Sequence, residues 1–137
     1  MAYPPVSMHP PLVTRVLLVD DDATVSRAIT RALRSHGVVA TPAATVDAAR
    51  EALTAARFDL IVCDLVLGRE SGLTLLDQVR AGGDQTPFVL ITGCTAEDRQ
   101  AAERDLRIAA ILLKPFDVAA LGRVVRDVVA DARRAQR

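Results

Sequence analysis

Six residues with ionisable or hydroxyl groups follow directly on short apolar runs. They are Asp20, Asp21 and Asp22 after Val16–Val19, Asp64 after Phe58–Cys63, Thr92 after Pro87–Ile91, and Lys114 after Ala109–Leu113. Carboxylates that converge on one edge repel each other unless a cation lies between them. Hard oxygen donors favour Mg²⁺ or Mn²⁺, and Mg²⁺ keeps several waters and takes one or two carboxylates together with phosphoryl oxygens. An ammonium is a compact point charge suited to a phosphoryl oxygen, and Thr92 adds a hydroxyl donor. Acidic groups, a hydroxyl and an ammonium around one pocket fit phosphoryl transfer better than acyl or hydride chemistry. Singly, each has a plainer role: Asp22 as the N-cap of a following helix, Thr92 as a loop hydroxyl, Lys114 as a solvated charge. Their joint placement at successive strand ends is what carries the signal.

Those groups meet only if the apolar runs are neighbouring strands. Val16–Val19 has the composition of a strand buried on both faces. Val25, Ile29, Ala32 and Leu33 recur at helical spacing up to Gly37, and Val38–Ala40 forms a weak second strand. Thr45 caps a helix through about Ala56, with Val46, Ala49 and Leu53 inward. Phe58–Cys63 is the next strand, and Ser71 to about Ala81 a helix with Leu73, Leu76 and Val79 inward, closed by Gly82–Gly83. Pro87–Ile91 is a strand, Thr95 to about Leu106 a polar helix, and Ala109–Leu113 the last strand. A final helix from about Asp117 carries an apolar stripe of Val118, Leu121, Val124, Val125, Val128 and Val129. Strands alternating with helices predict an α/β fold with a parallel sheet covered on both faces. With right-handed crossovers this is a three-layer, doubly wound, flavodoxin-like (βα)5 sandwich of strand order 2-1-3-4-5, whose ligands lie beyond the carboxyl ends of the strands.

Composition narrows the function classes. The chain has 137 residues, half of them apolar, with 17 basic against 17 acidic side chains and no net charge. That is one domain with a sizeable core. A neutral balance removes the electrostatic case for a general nucleic-acid binder, and no apolar run approaches the ~20 residues needed to cross a bilayer. Cys63 and Cys94 lack metal-ligand or C-x-x-C spacing and read as reduced cysteines of a cytoplasmic protein. His9 and His36 read as surface residues. Pro4, Pro5, Pro10 and Pro11 mark residues 1–13 as a flexible leader, with the domain over residues 14–137. Of the basic residues all are Arg except Lys114.

VLLVDDD (Val16–Asp22), LIVCDLVLGRESG (Leu60–Gly72), VLITG (Val89–Gly93) and LLKPF (Leu112–Phe116) resemble, in order and spacing, the receiver domain of two-component response regulators. The similarity covers about Thr14–Arg134. It implies that Asp64 accepts a phosphoryl group from a histidine kinase or a histidine phosphotransfer protein. It implies Mg²⁺ (or Mn²⁺) held by Asp20, Asp21, Asp64 and the backbone carbonyl of Val66. Thr92 and Lys114 would bind the phosphoryl group, and Pro115 would follow a cis peptide bond. The face made by the fourth helix, the fifth sheet strand and the fifth helix would then switch for a downstream protein.

The chain departs from the family pattern at Ile111, where an aromatic residue is usual, and at Ala109 and Ala110, where dimerising receivers carry acidic residues. Gly68 stands where Pro is common. A monomer or weak dimer is therefore expected, with no direct nucleic-acid or membrane contact and no turnover of an external substrate. Two other readings compete. Asp20-x-Asp22-x-Thr24 resembles the first motif of haloacid-dehalogenase-type phosphatases, although no later acidic pair follows Lys114 and Asp64 would have no role. The other is a phosphorylation-independent pseudo-receiver that binds partners through the same fold.

Overall fold

In β1 (Thr14–Val19) the apolar residues alternate between two buried surfaces, Leu17 and Val19 on one and Val16 and Leu18 on the other. The same period of two divides β3 (Leu60–Asp64) and β6 (Phe88–Thr92), whose side chains are all buried. These three strands are the centre of a five-stranded parallel sheet of order β2-β1-β3-β6-β7, with edges β2 (Val38–Ala43) and β7 (Ile108–Leu113). Only the edge position lets Pro42 sit in β2 without costing the sheet a ladder donor. The computed structural model describes residues 13–93 and 96–136. The leader and Cys94 therefore lie outside the described residues, apart from Val13, as do His9 and the expected helix start at Thr95.

Helices α2 (Val46–Ala55) and α3 (Gly72–Ala81), with Ala102 of α4 (Ala96–Glu103), cover one face; α1 (Ala23–Arg34) and α5 (Val118–Ala135) cover the other. Counting only sheet strands, the order is the expected 2-1-3-4-5. A feature that no sequence pattern announced lies between β3 and α3. There β4 (Val66–Leu67) and β5 (Glu70–Ser71) form a small antiparallel ribbon around Gly68, whose φ of +61° suits glycine.

Helix ends follow local chemistry. Asp22 Oδ1 accepts from the amides of Thr24 and Val25, Thr45 Oγ1 from Ala48 and Asp117 Oδ1 from Ala120. At the end of α3, the amide of Asp84 donates to Val79 O and that of Gly83 (φ +82°) to Arg80 O, a Schellman closure.

Several expected details shift. In α1, Ile29 and Leu33 are buried as expected, but at the first turn Ser26 is buried in place of Val25, which is exposed. Helix α4 stops at Glu103 rather than Leu106, because Asp105 Oδ1 takes the Arg107 amide and bends the chain into a turn; Leu106 is left solvent-exposed. Strand β3 begins at Leu60 rather than Phe58. Asp59 pairs with Arg15 just before it, its amide donating to Arg15 O and its Oδ2 accepting the Arg15 amide. His36 is exposed, as expected.

Candidate functional site

The six residues arrive at one edge because their strands are parallel and adjacent. Asp20 follows β1, Asp64 ends β3, Thr92 ends β6 and Lys114 follows β7. Asp20, Asp64 and Thr92 are buried, at 4%, 7% and 0% exposure, whereas Asp21 and Asp22 face solvent. Asp22 is committed to capping α1, so it does not serve the pocket.

Lys114 Nζ lies 2.6 Å from Asp64 Oδ2, a charge-assisted hydrogen bond across the mouth of the site. Two main-chain features hold the lysine there. The Lys114 amide donates to Thr92 O at 2.9 Å, and Gly93 lets the chain pass close by, since a Cβ there would sit 3.3 Å from Lys114 Cβ. The Lys114–Pro115 peptide is cis, as expected. Asp64 Oδ1 accepts from the Val66 amide at 3.3 Å. Asp20 Oδ1 accepts from the Asp22 amide at 2.9 Å, which folds the acidic loop back on itself. The ribbon closes the site from the other side. A Cβ on Gly68 would lie 3.8 Å from Asp21 Oδ2, so the ribbon tip stands over the Asp21 carboxylate.

Charge is unbalanced. Burial raises the Asp20 carboxyl above its usual value; the Asp22 amide and Lys114 work against this, while Asp64 and Asp21 add to it by like-charge repulsion. At Lys114, burial opposes the charge, but the hydrogen bond to Asp64 and the attraction of Asp64, Asp20 and Asp21 outweigh it and leave the ammonium above its usual value. One ammonium thus faces three carboxylates. Cys63 contributes nothing ionic, because burial, reinforced by Asp64 and Asp20, pushes its thiol far up.

The donors fit a hydrated hard cation. Among the described residues no three His, Cys, Asp or Glu side chains form a ready-made metal cage. Mg²⁺ does not need one, since one or two carboxylates with waters suffice. The unbalanced charge around desolvated Asp20 is what a divalent ion would offset.

Two contributors were not singled out from the sequence. Gly72 is required by close packing, because a Cβ there would meet Asp64 O at 2.3 Å and Cys63 Sγ at 2.9 Å. Glu70, on the ribbon, accepts from the Val46 amide across the site's flank. Gly72 could have been found from its place at the expected start of a helix against a buried strand. Ile111, the departure from the usual aromatic, is half-buried and packs into the cluster of the α2–α3 face.

Comparison with known proteins agrees with this fold. The family model of the response regulator receiver domain matches residues 16–126. The chain is 36% identical over 112 residues to the response regulator protein PmrA of Pseudomonas aeruginosa, covering 82% of this chain and 51% of that protein. It therefore spans about half the length of this curated relative. A solved response regulator receiver protein from Pseudomonas putida superposes with a TM-score of 0.78 at 29% identity, over 86% of this chain and 99% of that one. A CheY-like receiver domain protein from Methanospirillum hungatei reaches a TM-score of 0.82 at 19% identity, over 90% and 99% of the two chains, a likeness of fold alone.

Proposed function

Because the chain belongs to the response regulator receiver family of two-component systems, we propose that it acts as a phosphoacceptor switch with Asp64 as the acceptor. The single observation carrying this reading is the Lys114–Asp64 contact at 2.6 Å, set at the strand ends beside Asp20 and Thr92. A carboxylate oxygen of Asp64 attacks the phosphorus of a phosphohistidine on a histidine kinase or phosphotransfer protein. The new O–P bond forms as the P–N bond breaks, and the leaving imidazole recovers a proton from solvent. Lys114 moves its ammonium from the carboxylate to a phosphoryl oxygen, and Thr92 turns its hydroxyl to another. Asp20, Asp21, Asp64 and the Val66 carbonyl hold Mg²⁺ or Mn²⁺, which when bound neutralises charge on the phosphoryl oxygens. The acyl phosphate adds about two negative charges at neutral pH.

The same reading treats residues 14–137 as the receiver unit and residues 1–13 as a leader. It places the protein in the cytoplasm as a monomer or weak dimer, acting on a downstream protein through α4, β7 and α5. Receiver domains are signalling domains rather than metabolic enzymes, and no external substrate is turned over here. Among the described residues no helix is long and apolar enough to cross a membrane. With Asp22 tied to the α1 amides, the phosphatase alternative lacks its second carboxylate.

Incubation with Mg²⁺ and acetyl phosphate, followed by intact mass measurement, is expected to show one added phosphoryl group that is stable to acid and labile to base. Absence of the adduct, or its persistence in Asp64→Asn, overturns the assignment.

A further inference from the structure

The two acid-bearing loops, after β1 and after β3, are both bonded to the short connector from β2 to α2. On one side the Asp20 amide donates to Ala43 O at 3.0 Å. On the other, the Val46 amide donates to Glu70 Oε1 at 3.4 Å. Ala43 and Val46 are both buried, so the connector is itself anchored in the core. Its four residues form a strut, with one acidic loop attached at each end.

The Glu70 contact has a clear physical basis. The first amides of a helix lack internal partners, and the amino end of the macrodipole is positive. Thr45 Oγ1 satisfies the Ala48 amide and leaves the Val46 amide for a second acceptor. A hydrogen bond of 3.4 Å is long, but the carboxylate charge adds to it through the dipole. Glu70 also lies in the ribbon that pairs Val66 with Ser71 and Leu67 with Glu70. Holding Glu70 therefore holds Val66 and, through the turn, Gly68 beside Asp21.

We propose that Glu70 is a positioning residue of the acidic site, fixing the ribbon to the amino end of α2 so that the strut sets the gap between Asp21 and the Val66 carbonyl. This rests on the reading of that gap as the place of the divalent ion. Glu70 touches neither ion nor phosphoryl group; it acts through the backbone it holds. Its side chain is exposed, so its replacement leaves the core intact.

The test uses the full chain, with amide NMR followed through a Mg²⁺ titration and hydrogen exchange measured without metal. In E70A, the Mg²⁺ dissociation constant is expected to rise roughly two- to fivefold, the scale of one charge–dipole contact. Exchange of the Val46 and ribbon amides should quicken in the metal-free protein. E70Q keeps the acceptor oxygen but loses the charge, and is expected to fall between wild type and E70A on both readouts. Wild-type Mg²⁺ affinity in E70A, or equal loss in E70Q and E70A, overturns the positioning role. A wild type whose Asp21 and Val66 amides ignore Mg²⁺ overturns the metal reading and this proposal together. A normal wild-type response with E70A unchanged overturns the positioning role alone.

Discussion

Lys114 is the one basic residue that is not arginine, and its ammonium donates the hydrogen bond to Asp64 Oδ2. A guanidinium has the same charge but spreads it over a planar fork of donors on a differently shaped stem, so it does not reproduce the compact ammonium that lies 2.6 Å from Oδ2. Lys114→Arg is expected to slow acetyl-phosphate labelling of Asp64 by about tenfold or more, the scale of a misplaced charge at a reacting centre. A labelling time course by intact mass checks it, and an unchanged rate would show that charge alone suffices. Residues of this kind are legible in the sequence because a polar group directly after an apolar run in a parallel sheet has one place to go. Glu70 is not legible in that way. Its partner is 24 positions away, and only a side chain's reach connects them.

At the scale of elements, the register of α3 against β3 holds Asp64 in place. Gly72 lets the helix start within contact of the Asp64 carbonyl, and a methyl at 2.3 Å from that oxygen forces the two apart. Gly72→Ala is expected to cost about 1–3 kcal/mol in urea unfolding and to lower labelling of Asp64, the second effect separating site displacement from simple destabilisation. The end of α4 gives a pH-dependent prediction. The Arg107 hydrogen bond, stronger than the opposing burial and joined by the Arg107 amide, holds the Asp105 carboxyl below its ordinary value of 3.8. A carboxyl depressed in the folded state stabilises the fold fully above its unfolded value, and that contribution fades as pH falls through the folded one. Asp105→Asn should therefore lower stability by about 0.5–1 kcal/mol at neutral pH, with the gap to wild type closing below pH 3.8. Paired denaturation curves at neutral and acid pH check it. Helices were legible from their caps and apolar spacing. Their ends were less so, since Asp105 stops α4 through a side-chain bond that competes with helical continuation.

For the whole molecule, one sheet serves two apolar clusters, and neither can lose its lining without exposing the strands shared with the other. Leu121 of α5 is fully buried, in the same apolar cluster as Val16, Leu18, Val62 and Val89. Leu121→Ala is expected to cost about 2–5 kcal/mol, with unfolding still a single transition by far-ultraviolet dichroism and NMR alike. Two separate transitions would show that the faces fold independently. The absent net charge is likewise a whole-molecule average. Acidic groups collect at the strand ends, while from Val118 onward Arg123, Arg126, Arg133, Arg134 and Arg137 outnumber Asp127 and Asp131.

The fold class and the set of groups at the strand ends were determined by local pattern. Alternation and helical spacing act over a few residues and crossover handedness over one βαβ unit, and together they prune a (βα)5 chain to a few doubly wound arrangements, of which the flavodoxin-like order is one. Which of those groups are buried, and how they pair, was decided only in three dimensions. Between Phe88 and Val89 the register against β7 slips by one, so that Ala109 is passed over and Ile111 lies opposite Leu90. No sequence period announces that slip. Nor does any reveal the strut from Ala43 to Val46, because both of its bonds join residues far apart in sequence. Burial is a property of what packs around a group, and here it separates Asp20, hidden and raised, from Asp21, its exposed neighbour in the same run.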